Sequence, residues 1–72
     1  MRISYDAQVD ALYIRLVEGP QECRTVRLSE EVALDLGPSE RLVGIEILDA
    51  SRVLGKALTE PVELENLTAK IL

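Results

Sequence analysis

Apolar and polar residues alternate through several short stretches of the chain. Leu12, Ile14 and Leu16 interleave with Tyr13 and Arg15, Val32, Leu34 and Leu36 with Ala33 and Asp35, and Val43, Ile45 and Ile47 with Gly44 and Glu46. Successive side chains on a strand point to opposite faces of a sheet, so a period of two predicts half-buried β-strands. The pattern specifies a fold far better than an activity.

Five strands follow from it. Met1 to Tyr5 forms the first, and Asp6 to Asp10 turns the chain, with an aspartate at each shoulder to bond nearby backbone N–H groups. Ala11 to Val17 forms the second, ended by the Glu18-Gly19-Pro20-Gln21 loop. Cys23 to Leu28 resumes the alternation with Val26 and Leu28 inward, Ser29-Glu30-Glu31 turns, and Val32 to Leu36 forms the fourth strand. Gly37-Pro38-Ser39-Glu40 is a hairpin turn into a fifth strand from Arg41 or Leu42 to Leu48. Gly44, inside that strand, marks a bulge or the close approach of another backbone. At Asp49 the period changes. Asp49 suits a helix N-cap and Gly55 a stop, which predicts a short helix around Val53-Leu54. Thr59-Glu60-Pro61 breaks the chain again, and residues 58–72 read as an ordered arm or a flexible tail.

Short turns join antiparallel neighbours, so the expected architecture is α+β but mainly β: an antiparallel β-meander of about five strands with a short helix after the last. Ile3, Leu12, Ile14, Leu16, Val26, Leu28, Val32, Leu34, Leu36, Val43, Ile45 and Ile47 would line one face. One short helix is too small to cover that surface, and apolar patches beyond a few hundred Å² mark interaction sites, so a homodimer is expected.

The 72 residues make one domain, and a domain this small hides only about 60–65% of its unfolded surface on folding. Supplementary stability must come from outside the chain. Cys23 is the only cysteine, which excludes an internal disulfide, and histidine is absent. The unpaired thiol and the lack of a leader-like start predict a reducing, cytoplasmic setting. No apolar run approaches the roughly 20 residues of a membrane span. Eight Lys and Arg against 13 Asp and Glu give a net charge of −5, which opposes nucleic acid and favours a basic protein partner. Tyr5 and Tyr13 are the only aromatic residues, too few for stacking on bases.

Tyr5-Asp6, Asp10-Ala11-Leu12-Tyr13-Ile14 and Gly44-Ile45-Glu46-Ile47-Leu48-Asp49-Ala50-Ser51 together resemble the signature of the domain of unknown function 2283 family of very small bacterial and archaeal proteins. The resemblance implies a small β-rich domain of unassigned activity and carries no catalytic residue across.

Candidate chemistry is sparse. Asp6, Asp10 and Asp49, with Glu46 nearby, offer oxygen ligands suited to Mg²⁺ or Ca²⁺. The spacing matches no helix-loop-helix Ca²⁺ loop, and the same positions are where Asp forms turns and caps helices. Arg15, Arg27, Asp35 and Glu46 fall with Tyr13 and Thr25 on the face opposite the aliphatic one. Guanidinium groups there could anchor a small anion, and Asp35 or Glu46 could serve as acid or base; a solvated face of cross-strand pairs has the same composition. Without histidine, Cys23 has no base to activate it, and Ser-His or Cys-His catalysis is excluded. No cofactor is expected. The leading expectation is a non-enzymatic protein-interaction or regulatory module acting as a homodimer; the competing one is a small anion-binding domain or enzyme using the polar face.

Overall fold

A computed structural model describes residues 1–65 of the chain. Five strands, β1 (Arg2–Asp6), β2 (Ala11–Arg15), β3 (Arg24–Arg27), β4 (Val32–Leu36) and β5 (Leu42–Ile47), form one antiparallel sheet. A short helix, α1 (Ala50–Leu54), follows β5 and runs into a 3₁₀ segment, Gly55–Thr59. The expected mainly β fold with a helix after the last strand is therefore present. The arm or tail expected over 58–72 extends from this segment, and its residues 66–72 lie outside the described residues.

The strand order is β1-β2-β5-β4-β3, which departs from a simple meander at one place. β2 pairs with β5, not with β3, and β3 crosses to the far edge beside β4. Composition explains the exchange. β5 carries Leu42, Val43, Ile45 and Ile47 and takes the centre, where both ladders are satisfied. β3 reads Arg24-Thr25-Val26-Arg27 and takes an edge, the position that tolerates charge.

Register aligns the apolar positions. Ile3 faces Ile14, Ile14 faces Ile45, Ile45 faces Leu34, and Leu34 faces Val26, so one apolar rung crosses all five strands. A parallel rung runs from Tyr5 through Leu12 and Ile47 to Val32. Beyond Asp35 the pairing slips: Asp35 faces Gly44 but Leu36 faces Leu42, leaving Val43 as the extra residue of a β-bulge. Val43 is 1% exposed, and among the described residues only Ala33 and Ala50 join it as buried hydrophobic residues. The aliphatic rungs are half-buried or exposed. The sheet is a single layer, and the Cα radius of gyration, 13.6 Å, exceeds the roughly 11 Å of a compact domain this long.

Candidate functional site

The polar face is built on two small residues. Gly44 and Ala33 are buried although they point away from the aliphatic rungs. Tyr13 lies across Gly44: a Cβ built there would sit 2.1 Å from the phenol oxygen and 2.5 Å from Cζ. Of the bulge or close backbone approach expected at Gly44, the bulge lies beside it at Val43, and the closest approach is made by the Tyr13 side chain, with the Ile14 carbonyl at 3.1 Å. Tyr13 Oη donates to Asp35 Oδ2 at 2.7 Å, and Thr25 Oγ1 donates to Asp35 Oδ1 at 2.8 Å, so Asp35 on β4 ties β2, across β5, to the edge strand β3. Burial, together with the bond and charge of Asp35, pushes the Tyr13 phenol up to about 12. Ala33 lies on the rung between Arg27 and Glu46, whose charged ends approach to 3.8 Å.

The two arginines are engaged by the chain itself. Arg15 donates through Nε to the Val17 carbonyl at 2.8 Å and through Nη2 to the Gly19 carbonyl, bracing the loop after β2. Arg27 donates to the Glu30 carbonyl at 3.3 Å in addition to meeting Glu46. Asp35 and Glu46 thus sit on adjacent strands without forming a pair: one serves Tyr13 and Thr25, the other Arg27.

A second polar cluster gathers at the end of the sheet where the β1–β2 turn meets α1. Asp10, with φ 52°, accepts at Oδ1 from Tyr5 Oη at 2.7 Å and from the Ser51 N–H at 3.0 Å. Its Oδ2 accepts from Ser51 Oγ at 2.6 Å, and its carbonyl accepts from the Ala50 N–H at 2.9 Å. The N–H groups of Ala50 and Ser51, in the first helical turn, therefore find their partners on Asp10, which for Ser51 is 41 positions away in sequence. The Ser51 and Tyr5 hydrogen bonds lower the Asp10 carboxyl below its ordinary value, and the same Asp10 contact raises the Tyr5 phenol.

Asp49 precedes the helix as expected, but its side chain makes no capping bond. Its backbone is left-handed, φ 53° and ψ 43°, where a capping residue is ordinarily extended. Its Oδ2 instead accepts from Arg52 Nε at 2.5 Å, and Arg52 also reaches Glu31 Oε1 at 2.5 Å. Asp6 Oδ1 accepts from the Gln8 N–H at 3.0 Å and shapes the turn. Asp6, Asp10 and Asp49 thus have three separate roles, and among the described residues no group of three acidic, Cys or His side chains is placed to hold a metal ion. Sequence reasoning missed the joint role of Asp10, Tyr5 and Ser51. The available signal was that all three lie within the quoted signature segments.

A shallow, open depression of about 410 Å³ lies at the start of β3, lined by Glu22, Cys23, Arg24, Leu36, Gly37 and Pro38. Among the described residues no helix is long and apolar enough to cross a membrane.

A family model described as a protein of unknown function, DUF2283, matches residues 2–51. That span holds all five strands, Tyr13 with Gly44 and Asp35, and the whole Asp10 cluster, and it ends at Ser51. No curated protein and no solved structure matches the chain significantly.

Proposed function

The chain belongs to the DUF2283 family, and from that premise we propose that it is a non-enzymatic protein-interaction module that pairs with a second copy of itself through the aliphatic face of its sheet. The observation that carries this reading is the absence, among the described residues, of a second layer over the rungs of Ile3, Ile14, Ile45, Leu34 and Val26. Ile3 and Tyr5 remain 44% and 43% exposed and Leu28 61%. An antiparallel sheet tolerates water on one face when the other is packed; here the polar face already meets water, so the aliphatic face is the one that needs a cover.

The size of the face fits a modest dimer. Five strands spaced by about 4.8 Å, each about five residues long at about 3.4 Å per residue, project to about 24 by 17 Å. Two such faces, with their standing side chains, bury on the order of 1,000 Å², near the lower bound of specific interfaces. Affinity depends on anchoring side chains more than on area, so a face without a deep anchoring pocket fits weak association, on the order of micromolar. Within the same reading the unpaired, exposed Cys23 fits a reducing cytoplasmic setting, and the net charge of −5 makes a basic protein the class of further partner. Arg15 and Arg27, the anion anchors of the competing reading, are committed to internal carbonyls and to Glu46.

Sedimentation equilibrium between about 1 and 100 µM tests the proposal. The wild-type chain is expected to approach twice its 8.0 kDa mass as concentration rises. Ile3→Lys, on an edge strand and already half exposed, should stay monomeric while keeping its β-sheet circular dichroism. A wild-type chain that remains at 8.0 kDa throughout overturns the reading.

A further inference from the structure

The segment after the 3₁₀ turn, Pro61-Val62-Glu63-Leu64-Glu65, alternates apolar and acidic residues yet pairs with no strand. Val62 and Leu64 are 66% and 69% exposed. A period of two written into an extended, unpaired stretch is the pattern of a strand without a sheet. At one edge of the sheet, β3 has β4 as its one neighbouring strand among the described residues, and no described strand pairs with its outer side.

We propose that this arm pairs with the β3 edge of a second copy of the chain, adding a sixth strand to that copy's sheet; the inference rests on the self-association proposed above and assigns its contacts. The faces match. On β3, Val26 lies on the aliphatic face and Thr25 and Arg27 on the polar one. An arm with Val62 and Leu64 beside Val26 sets Glu63 and Glu65 beside Thr25 and Arg27. Charge selects this edge over the opposite one. β3 carries Arg24 and Arg27 and no acid, whereas β1 carries Arg2 and Asp6. The arginines would repel another β3 and therefore guard the edge against its own kind. The same charges attract an acidic strand, and strand addition is an established mode of recognition between chains. The present partner of Arg24 does not block it: Arg24 and Glu40 are both more than 60% exposed, and such surface pairs exchange at little cost. Arg27 keeps its contacts with Glu30 and Glu46 and adds only its positive charge to the edge. The depression at the start of β3 offers Leu36 and Pro38 to an apolar side chain from the arm's end.

Cys23, exposed and immediately before β3, provides the probe. It shares sequence parity with Thr25 and Arg27, so an arm cysteine at position 63 or 65 would share its side of the sheet. Glu63→Cys and Glu65→Cys, one for each strand direction, are oxidised mildly at a concentration where the wild type is dimeric and run without reductant; the wild type and Cys23→Ser versions serve as controls. The expected result is a covalent dimer from one arm variant, at least ten-fold more abundant than in either control. A covalently closed monomer means that the arm folds onto its own β3 and overturns the exchange. An intact noncovalent dimer by sedimentation with no crosslink above the controls overturns arm docking and leaves the face-to-face association standing. A monomer by sedimentation for the wild type overturns both.

Discussion

Two residue-scale contacts decide how the polar side of the sheet is held, and each makes a separate prediction. The phenol of Tyr13 occupies the space that any side chain at position 44 would need, and the Ile14 carbonyl lies 3.1 Å from the same point. Gly44→Ala must swing Tyr13 off Asp35 or strain the strand, so urea denaturation should show a loss of about 1–3 kcal/mol. In a Tyr13→Ala background the same substitution should cost much less, because the two changes share one contact. Tyr13→Phe removes only the hydrogen bond to Asp35 and should cost about 1 kcal/mol. The Tyr13 phenol, pushed up to about 12 from 10.0, keeps its proton in the fold where the unfolded chain has lost it. Its contribution is complete below the unfolded value and disappears as pH rises from 10 towards 12, so tyrosinate absorbance should appear together with loss of the fold. Asp10 has the opposite sign. Its carboxyl is lowered by Ser51 and Tyr5, so its contribution is present above the ordinary carboxylate value and is lost as acid brings pH down through the folded value. Asp10→Asn should flatten that acid limb of the stability curve and loosen α1, seen as faster amide exchange at Ala50 and Ser51.

At the scale of elements, the alternation in β2, β4 and β5 was enough to place those strands within a residue or two. β4 and β5 each hold three apolar positions spaced by two, and β2 holds two, with Leu16 continuing the series just past its end. What the alternation could not supply was neighbourhood. β3 has one apolar residue among four, so its pattern is silent on whether it lies beside β2 or beyond β4, and the edge position emerges only from competition for the centre. The same holds for α1. Asp49 and Gly55 bracket it correctly, but five residues are too few to persist alone. The missing stabilisation comes from Asp10, a long-range contact with no local pattern. Element boundaries were legible from local chemistry; which element satisfies another was not. The bulge in β5 makes the element-scale prediction. The extra residue, Val43, is buried against the β4–β5 turn, and a Cβ built at Gly37 would lie 3.0 Å from Val43 Cγ2. Val43→Ala leaves that contact empty and should cost about 2 kcal/mol by denaturant unfolding. Val53→Ala, at a 40% exposed helical position, should cost well under 1 kcal/mol, about the size of an ordinary surface change.

At the scale of the whole molecule, the sheet over the described residues has a dressed side and a bare one, and on the reading proposed above its stability depends on what covers the bare side. Three fully buried hydrophobic residues are a small core for the described residues 1–65, since each apolar side chain left half in water forgoes much of the roughly 1.5–3 kcal/mol that full burial supplies. The edge strand β1, whose Ile3 and Tyr5 stay exposed, and the central strands, whose isoleucines are half-buried, lack the same covering layer. If a second copy provides it, association adds to the stability of a folded but weaker monomer, and the midpoint of thermal unfolding must depend on protein concentration. A hundred-fold increase in concentration adds about 2.7 kcal/mol per dimer, or about 1.4 kcal/mol per chain, which for a domain this short raises Tm by about 5–10 °C. Ile3→Lys should abolish that dependence and unfold at the lower limit approached by the dilute wild type. Salt separates the contributions: the aliphatic face holds or tightens as ionic strength rises, whereas an association governed by Arg24, Arg27 and the acidic arm weakens. A midpoint that does not move with concentration would mean that the single layer is stable alone, and the exposed rungs of Ile3, Ile14 and Ile45 would then be a surface kept open for a different protein.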